Sequence, residues 1–203
     1  LVLEIVRAIR KEVGRDFHLQ MKINGEDHNS WLYPWEKRGN TIKDTLAICR
    51  ILEDGGQGVD AFHVSSGSTF PHPRNPPGDF PIGEASRWYA VMRSSGTRAA
   101  FNDWVFHGWL GPLFRWLWRW RRGPVIEGIN LAYAREVKKH TKLPVVVAGG
   151  FQHLSVIAAA IRAGDCDGVT IARPLIANPD LPQLFKDADG PKAGKECTYC
   201  NKC

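Results

Sequence analysis

The chain has 203 residues, 43% of them hydrophobic and 24% charged. That is enough material for one domain with a substantial core. The composition excludes a disordered or fibrous protein, and no apolar run reaches the roughly 20 residues that cross a bilayer.

Net charge is +6, with Arg115, Arg119, Arg121 and Arg122 packed into one short stretch. No basic helix or aromatic RNA-binding sheet accompanies them, so nucleic acid is not an expected partner. Leu1, Leu3, Ile5, Val6, Ile9 and Val13 recur at helical spacing, and Gly14 ends the run. Leu1 already lies inside this pattern and is not Met, so the chain is expected to continue upstream. No secretory signal precedes the fold, and the cytoplasm is the expected compartment.

Residues 18–24 (HLQMKIN) read as a strand, and a polar loop with aromatics follows over 25–40. The spacing of Leu46, Ile48, Ile51 and Leu52 predicts a helix over 41–55. Residues 59–65 (VDAFHVS) predict a second strand, opening onto Ser65, Ser66 and Gly67. Cys49, and later Cys166, fall in apolar contexts that predict burial.

Residues 68–122 break this rhythm. A Pro-rich loop leads to a helix around 85–92, then to the run WVFHGWLGPLFRWLWRWRRG. Segments this long between regular elements are usually lids or interaction elements. Trp116, Trp118 and Trp120 alternate with Arg115, Leu117, Arg119 and Arg121, a period of two that fits no clean amphipathic helix. The stretch reads as a packed lid over the domain or a neighbouring subunit. Attachment to a membrane surface through 104–122 is the alternative, because Trp and Arg favour the lipid interface.

The alternation then resumes. A helix is predicted over 128–141, and a continuous apolar strand, LPVVVAG, over 143–149 that should be buried on both faces. Ser155 caps a predicted helix running to 163. Another strand covers 167–172, and a last helix starts at 181–185 ahead of a polar tail. Four strands, each with a helix, at roughly 30-residue intervals outside the insert mean a parallel α/β architecture. Pattern alone leaves a doubly wound sheet and a half TIM barrel open. Either one places a site at the strand C-terminal ends.

Two consecutive units, VVVAGGFQ and DGVTIARPLIANPDLP, carry the strongest chemistry. At Gly149 and Gly150 the missing side chains let backbone N–H groups approach an anion. Arg173, after the next strand, can pair bidentately with a phosphate. A plain tight turn and a surface ion pair explain the same residues equally well. Cys197, Cys200 and Cys203 form C-x2-C-x2-C, which argues for a metal or cluster in a reducing compartment. An iron–sulfur cluster needs four ligands; a zinc knuckle or free thiols are the alternatives. His63 lies within a strand and reads as a satisfied core histidine. Ser65 and Ser66 stand at the mouth of that strand. Asp27 and His28 are substrate-side candidates, and His72 and Arg74 are candidates for lining a channel.

The strings VAGGFQ, ARPLIANPDLP and CTYCNKC, in that order, resemble the end of the Old Yellow Enzyme and 2,4-dienoyl-CoA reductase family. EIVRAIRKEVGRDFHLQMKIN resembles the helix and strand at barrel strand five, and GVDAFHVSSG resembles strand six. The resemblance covers nearly the whole chain outside the insert. It implies a partial TIM (β/α)8 barrel, strands five to eight, with the aromatic-rich insert after strand six. Residues 1–190 would form the C-terminal half of an FMN-binding barrel, with 68–122 as insert or lid, and 191–203 would open a Cys-rich segment. The implied activity is NAD(P)H-driven, FMN-dependent reduction of an activated C=C bond in an enone or enoyl thioester.

Residue by residue, Lys22 matches the basic strand-five residue beside the flavin pyrimidine edge, often Arg in the family. A cation there stabilises negative charge on the reduced flavin. Gly149 and Gly150 match the strand-seven phosphate loop. Ala172 and Arg173 match the strand-eight pair, commonly Gly-Arg. Cys197, Cys200 and Cys203 match the first ligands of a [4Fe–4S] cluster whose fourth ligand lies beyond Cys203. The proton donor and carbonyl anchors come from the first half of the family's barrel, outside this chain, so half a barrel alone is expected to be inactive. A small-molecule substrate and a homo-oligomeric partner are implied. The rival readings are another phosphate-binding TIM barrel, either a dihydroorotate dehydrogenase-like flavoprotein or an aldolase-like lyase, and a non-catalytic interaction or membrane-associated module.

Overall fold

The fold comes from a computed structural model that describes residues 1–29, 32–33, 35–37, 39–53, 58–68 and 72–203. Four strands, β1 (Gln20–His28), β2 (Ala61–Ser68), β3 (Val145–Ala148) and β4 (Gly168–Thr170), pair in parallel. Their order in the sheet, β1-β2-β3-β4, is their order in the chain. The register aligns Lys22 with His63, His63 with Val146, and Val146 with Gly168. Successive strand residues point to opposite faces, so Lys22, Asn24, His63, Ser65, Ala148 and Thr170 share one face.

The opposite face is the core. Ile23, Phe62, Val64, Val145 and Val147 pack there with Cys49, Leu52, Val137 and Ile157. These last four come from α2 (Ile42–Leu52), α6 (Leu131–Lys138) and α7 (Leu154–Arg162). Cys49 and Cys166 are each 1% exposed, as their apolar settings predict. The apolar run at β3 is covered on one face only: Val145 and Val147 are fully buried, while Val146 and Ala148 are half-buried.

Helix α1 (Val2–Val13) ends at Gly14 as expected, with φ 76° there. The start of α2 is set by Asp44, whose carboxylate accepts from the Thr41 N–H at 2.8 Å and the Thr41 hydroxyl at 2.7 Å. The expected end of this helix, at 54–55, lies outside the described residues. Strand β1 runs past the expected end at Asn24. After an irregularity between Asn24 and Asp27, the polar residues Asp27 and His28 pair with Gly67 and Ser68. Backbone pairing carries the strand where side-chain alternation gives no signal.

The insert departs furthest from expectation. Its described residues form three helices, α3 (Ile82–Met92), α4 (Thr97–His107) and α5 (Gly111–Arg122), and a 3-10 turn at Arg93–Ser95. Its core is separate: Phe80 sits among Phe106, Phe114 and Trp118, with ring centroids 4.8 to 4.9 Å apart. The Trp-rich run is therefore helical, contrary to its period of two. Gly111, Phe114 and Trp118 face inward at helical spacing, while Leu113, Trp116 and Trp120 face outward.

Ser155 does not cap α7, whose N-cap is His153. The orphan donors are met from the tail instead. Asp189 accepts from the Ser155 N–H at 2.5 Å and its hydroxyl at 2.8 Å, and the Asp189 carbonyl accepts from the Leu154 N–H at 2.6 Å. Two short helices, α8 (Arg173–Ala177) and α9 (Leu181–Asp187), complete the fold. Among the described residues no helix is long and apolar enough to cross a membrane.

Candidate functional site

All four strands point their C-terminal ends at one cleft. Lys22, Gly149, Gly150, Ala172 and Arg173 line it together, with Ser65 and Ser66 on its wall, around a cavity of about 200 Å³. The residues singled out from the sequence for one anion thus come from β1, β3 and β4 to one place.

The diglycine turn is shaped from behind. Gly150 has φ 68°, a conformation that glycine adopts without steric cost. A Cβ there would lie 3.0 Å from Ile126 Cγ2. The Gly149 carbonyl accepts from the Gly128 N–H at 2.6 Å, and Asn130 Nδ2 donates to the Ala148 carbonyl at 2.7 Å. Glu127 fixes the next stretch: its carboxylate accepts from the Gln152 and His153 N–H groups at 2.6 and 2.8 Å and meets His153 Nδ1 at 2.8 Å.

Arg173 opens α8 at the far side of the cleft. Its Nη1 donates to the Pro77 carbonyl at 2.5 Å and to Asn201 Oδ1, and its guanidinium lies 5.6 Å from the Tyr199 ring centroid. Among the described residues no carboxylate pairs with Arg173 or Lys22. Two uncompensated cations therefore border a glycine turn, and such a site favours an anion.

His63, beside Lys22 in the sheet, shares a hydrogen bond with Thr170 Oγ1 at 2.8 Å. Burial, then the Lys22 charge, lowers its pKa. It is a satisfied histidine, as its place in a strand suggests.

A second compartment of about 600 Å³ shares Lys22, Ser65, Ser66 and Asn75 with the first. Ser65 Oγ donates to Asn24 Oδ1 at 3.1 Å, and Asn24 Nδ2 to Asp27 Oδ1 at 2.8 Å, which fixes the floor. At its edge the rings of His28 and His72 stack, with centroids 4.4 Å apart and planes 9° apart. Burial first, then Arg74, lowers the pKa of His28. Burial, then His28 and Arg74, takes His72 to about 4. Both rings are neutral near pH 7. His28 and His72 line a polar pocket with Glu26, Arg74 and Arg121, so residues from β1, the Pro-rich loop and α5 meet there.

The cysteine tail folds back onto this region. Tyr199 and Asn201 take positive φ, 51° and 57°. The Cys197 N–H donates to Gln152 Oε1 at 2.9 Å, and Asn201 Nδ2 to the Asp79 carbonyl at 2.9 Å. The three thiols themselves stay apart: among the described residues no three of His, Cys, Asp and Glu form a group that could hold a metal. Three thiols also fall short of the four ligands of an iron–sulfur cluster.

Sequence reasoning passed over Glu127, Asn130, Tyr199 and Asn201. Each acts through a contact distant in the chain, and the strings EGIN and CTYCNKC give no periodic signal for it.

No protein-family model matches the chain. An NADH-dependent flavin oxidoreductase of Neonectria sp. is 28% identical over 184 residues, covering 90% of this chain and 18% of that protein. A cinnamate reductase of Clostridium sporogenes is 30% identical over 197 residues, covering 91% of this chain and 22% of that protein. Among solved structures, a 2-naphthoyl-CoA reductase in complex with 2-naphthoyl-CoA superposes with a TM-score of 0.60 at 22% identity, covering 99% of this chain and 22% of that one. The chain thus spans about a fifth of the length of the proteins it matches. The likeness to the solved structure is one of fold, an α/β architecture with a parallel sheet. The named relatives agree with the resemblance drawn from the sequence, to the Old Yellow Enzyme and 2,4-dienoyl-CoA reductase family.

Proposed function

We propose that this chain is the phosphate-binding half, strands five to eight, of an FMN-dependent TIM-barrel oxidoreductase that uses NAD(P)H to reduce an activated C=C bond. The observation that carries this reading is the placement of Lys22 and Arg173, both without a carboxylate partner among the described residues, on one cleft with Gly149 and Gly150. The strand order supports the barrel. Four parallel strands follow chain order without the reversal that marks a doubly wound sheet. The names of the relatives support flavin, NADH and an unsaturated substrate.

The cleft residues fit the cofactor. Gly149 and Gly150 leave room for the phosphate to approach the backbone. Arg173 places its remaining N–H donors and its charge there. Lys22 sets a cation where the pyrimidine edge would lie and offsets negative charge on it. Asp27 and His28, which share the second compartment with Lys22, would face the substrate, and His72 and Arg74 would line the channel behind His28. When bound, the flavin supplies hydride transfer between the nicotinamide and the substrate.

The test is the identity of the bound flavin. Purified protein, denatured and chromatographed, should release FMN in stoichiometric amount. Absence of any flavin, with retained binding of a sugar phosphate, would transfer the site to a lyase.

A further inference from the structure

We propose that α5 is a membrane-contacting helix that lays its outward tryptophan stripe on an anionic lipid surface. The helix is apolar on two opposite sides. Phe114 and Trp118 are 6% and 1% exposed in the insert core. On the far side Leu113, Trp116 and Trp120 are 51%, 62% and 68% exposed, and Trp109, just ahead of the helix, is 89% exposed. Within the helix Leu113, Trp116 and Trp120 are spaced three and four, a single helical stripe, with Trp109 in the turn that leads into it. None of the four lines a cleft described above or the apolar cavity between α3 and α5. They form a ridge rather than a groove, which suits a fluid interface better than a shaped partner.

Charge selects the kind of surface. Residues 82–123 contain seven arginines and two carboxylates, Glu84 and Asp103, so most of the chain's excess charge lies here. Asp103 is 6% exposed and faces His107 and Arg93 within the insert. Glu84 lines the cavity between α3 and α5. Arg115 and Arg119 share one carboxylate, Asp79, at 3.6 and 2.6 Å, so the pair keeps a net positive charge. Arg122 follows on the same flank. Indole rings at headgroup depth beside guanidinium groups that reach lipid phosphates are a favourable arrangement at such an interface.

The test is co-sedimentation of the full chain with phosphatidylcholine vesicles, with and without phosphatidylserine. The protein should pellet with the anionic vesicles, and less as salt rises. The double variant Trp116→Ala, Trp120→Ala, whose side chains lie outside the core, should keep its melting temperature and lose at least about tenfold in partitioning. Brominated phosphatidylcholine included in anionic vesicles should quench the wild-type fluorescence, which gives a readout independent of the variant. No pelleting, equal binding to neutral and anionic vesicles, or an unchanged double variant would overturn the proposal. So would loss of a dimer, rather than of vesicle binding, in the double variant, because a second copy would then be the occupant.

Discussion

Tyr199 donates its hydroxyl to the carbonyl oxygen of Gly150 and lays its ring near the guanidinium of Arg173. A residue between two tail cysteines thus touches both sides of the cleft. The tail is a structural part of the cleft wall, whatever its thiols bind. Tyr199→Phe removes one hydrogen bond and leaves the ring. Such a bond is worth about 1 kcal/mol. FMN should bind several-fold more weakly in this variant, with a small fall in melting temperature. Unchanged FMN affinity would separate the tail from the cleft.

Glu127 holds the stretch after the diglycine by three hydrogen bonds. Glu127→Ala leaves two backbone N–H groups and a histidine nitrogen without their acceptor. The expected cost is about 1–3 kcal/mol, the penalty for partly buried unpaired donors. Chemical denaturation measures the loss, and hydrogen exchange should show it concentrated at 150–155. A loss spread evenly over the sheet would contradict the local role.

His72 gives a pH signature with a defined sign. Its folded pKa, about 4, lies below the ordinary value of 6.5 because burial and the neighbouring cations disfavour the charged ring. Between these two values the unfolded chain binds the extra proton, so stability rises with pH across that window. The contribution is complete above about pH 6.5 and gone below about pH 4. His72→Phe should flatten the rise of melting temperature between those limits. An equally steep rise in the variant would remove His72 as its source.

Much of the sheet was legible in the sequence. The apolar residues within 59–65 and the apolar run at 143–149 mark β2 and β3 through local side-chain chemistry. The four strand ends, with Lys22, the diglycine and Arg173, followed from parallel α/β geometry. The insert was not legible for a physical reason. With Phe114 and Trp118 on one side of α5 and Trp116 and Trp120 on the other, the apolar residues cancel as a periodic signal. The capping of α7 by Asp189, the hold of Glu127 on the loop and the stacking of His28 on His72 were also hidden, because each joins residues that local pattern does not connect.

Arg10 anchors the N-terminal helix to the sheet. It is 8% exposed, and its guanidinium donates to the carbonyls of Gly14, Phe17 and Gly58 and, at 2.7 Å, to Asp60. Asp60 also accepts from the Leu19 N–H at 2.7 Å. That bond, then Arg10, lowers the Asp60 pKa. Arg10→Met should cost about 2 kcal/mol, mainly through unpaired carbonyls. The Asp60 contribution is present above the ordinary carboxylate range and lost as pH falls through it, below about pH 4. Asp60→Asn should remove that acid-side dependence in melting experiments; its persistence would assign it to another carboxylate.

The central claim is tested most directly by titrating flavin-free protein with FMN and with riboflavin, which lacks the phosphate, and following flavin fluorescence. Wild type should prefer FMN by at least about tenfold, as expected for a charge-assisted phosphate contact. Arg173→Ala should lose most of that preference, while Lys22→Met keeps it. Equal affinity of wild type for the two flavins, or an Arg173→Ala variant that discriminates as wild type does, would contradict the account.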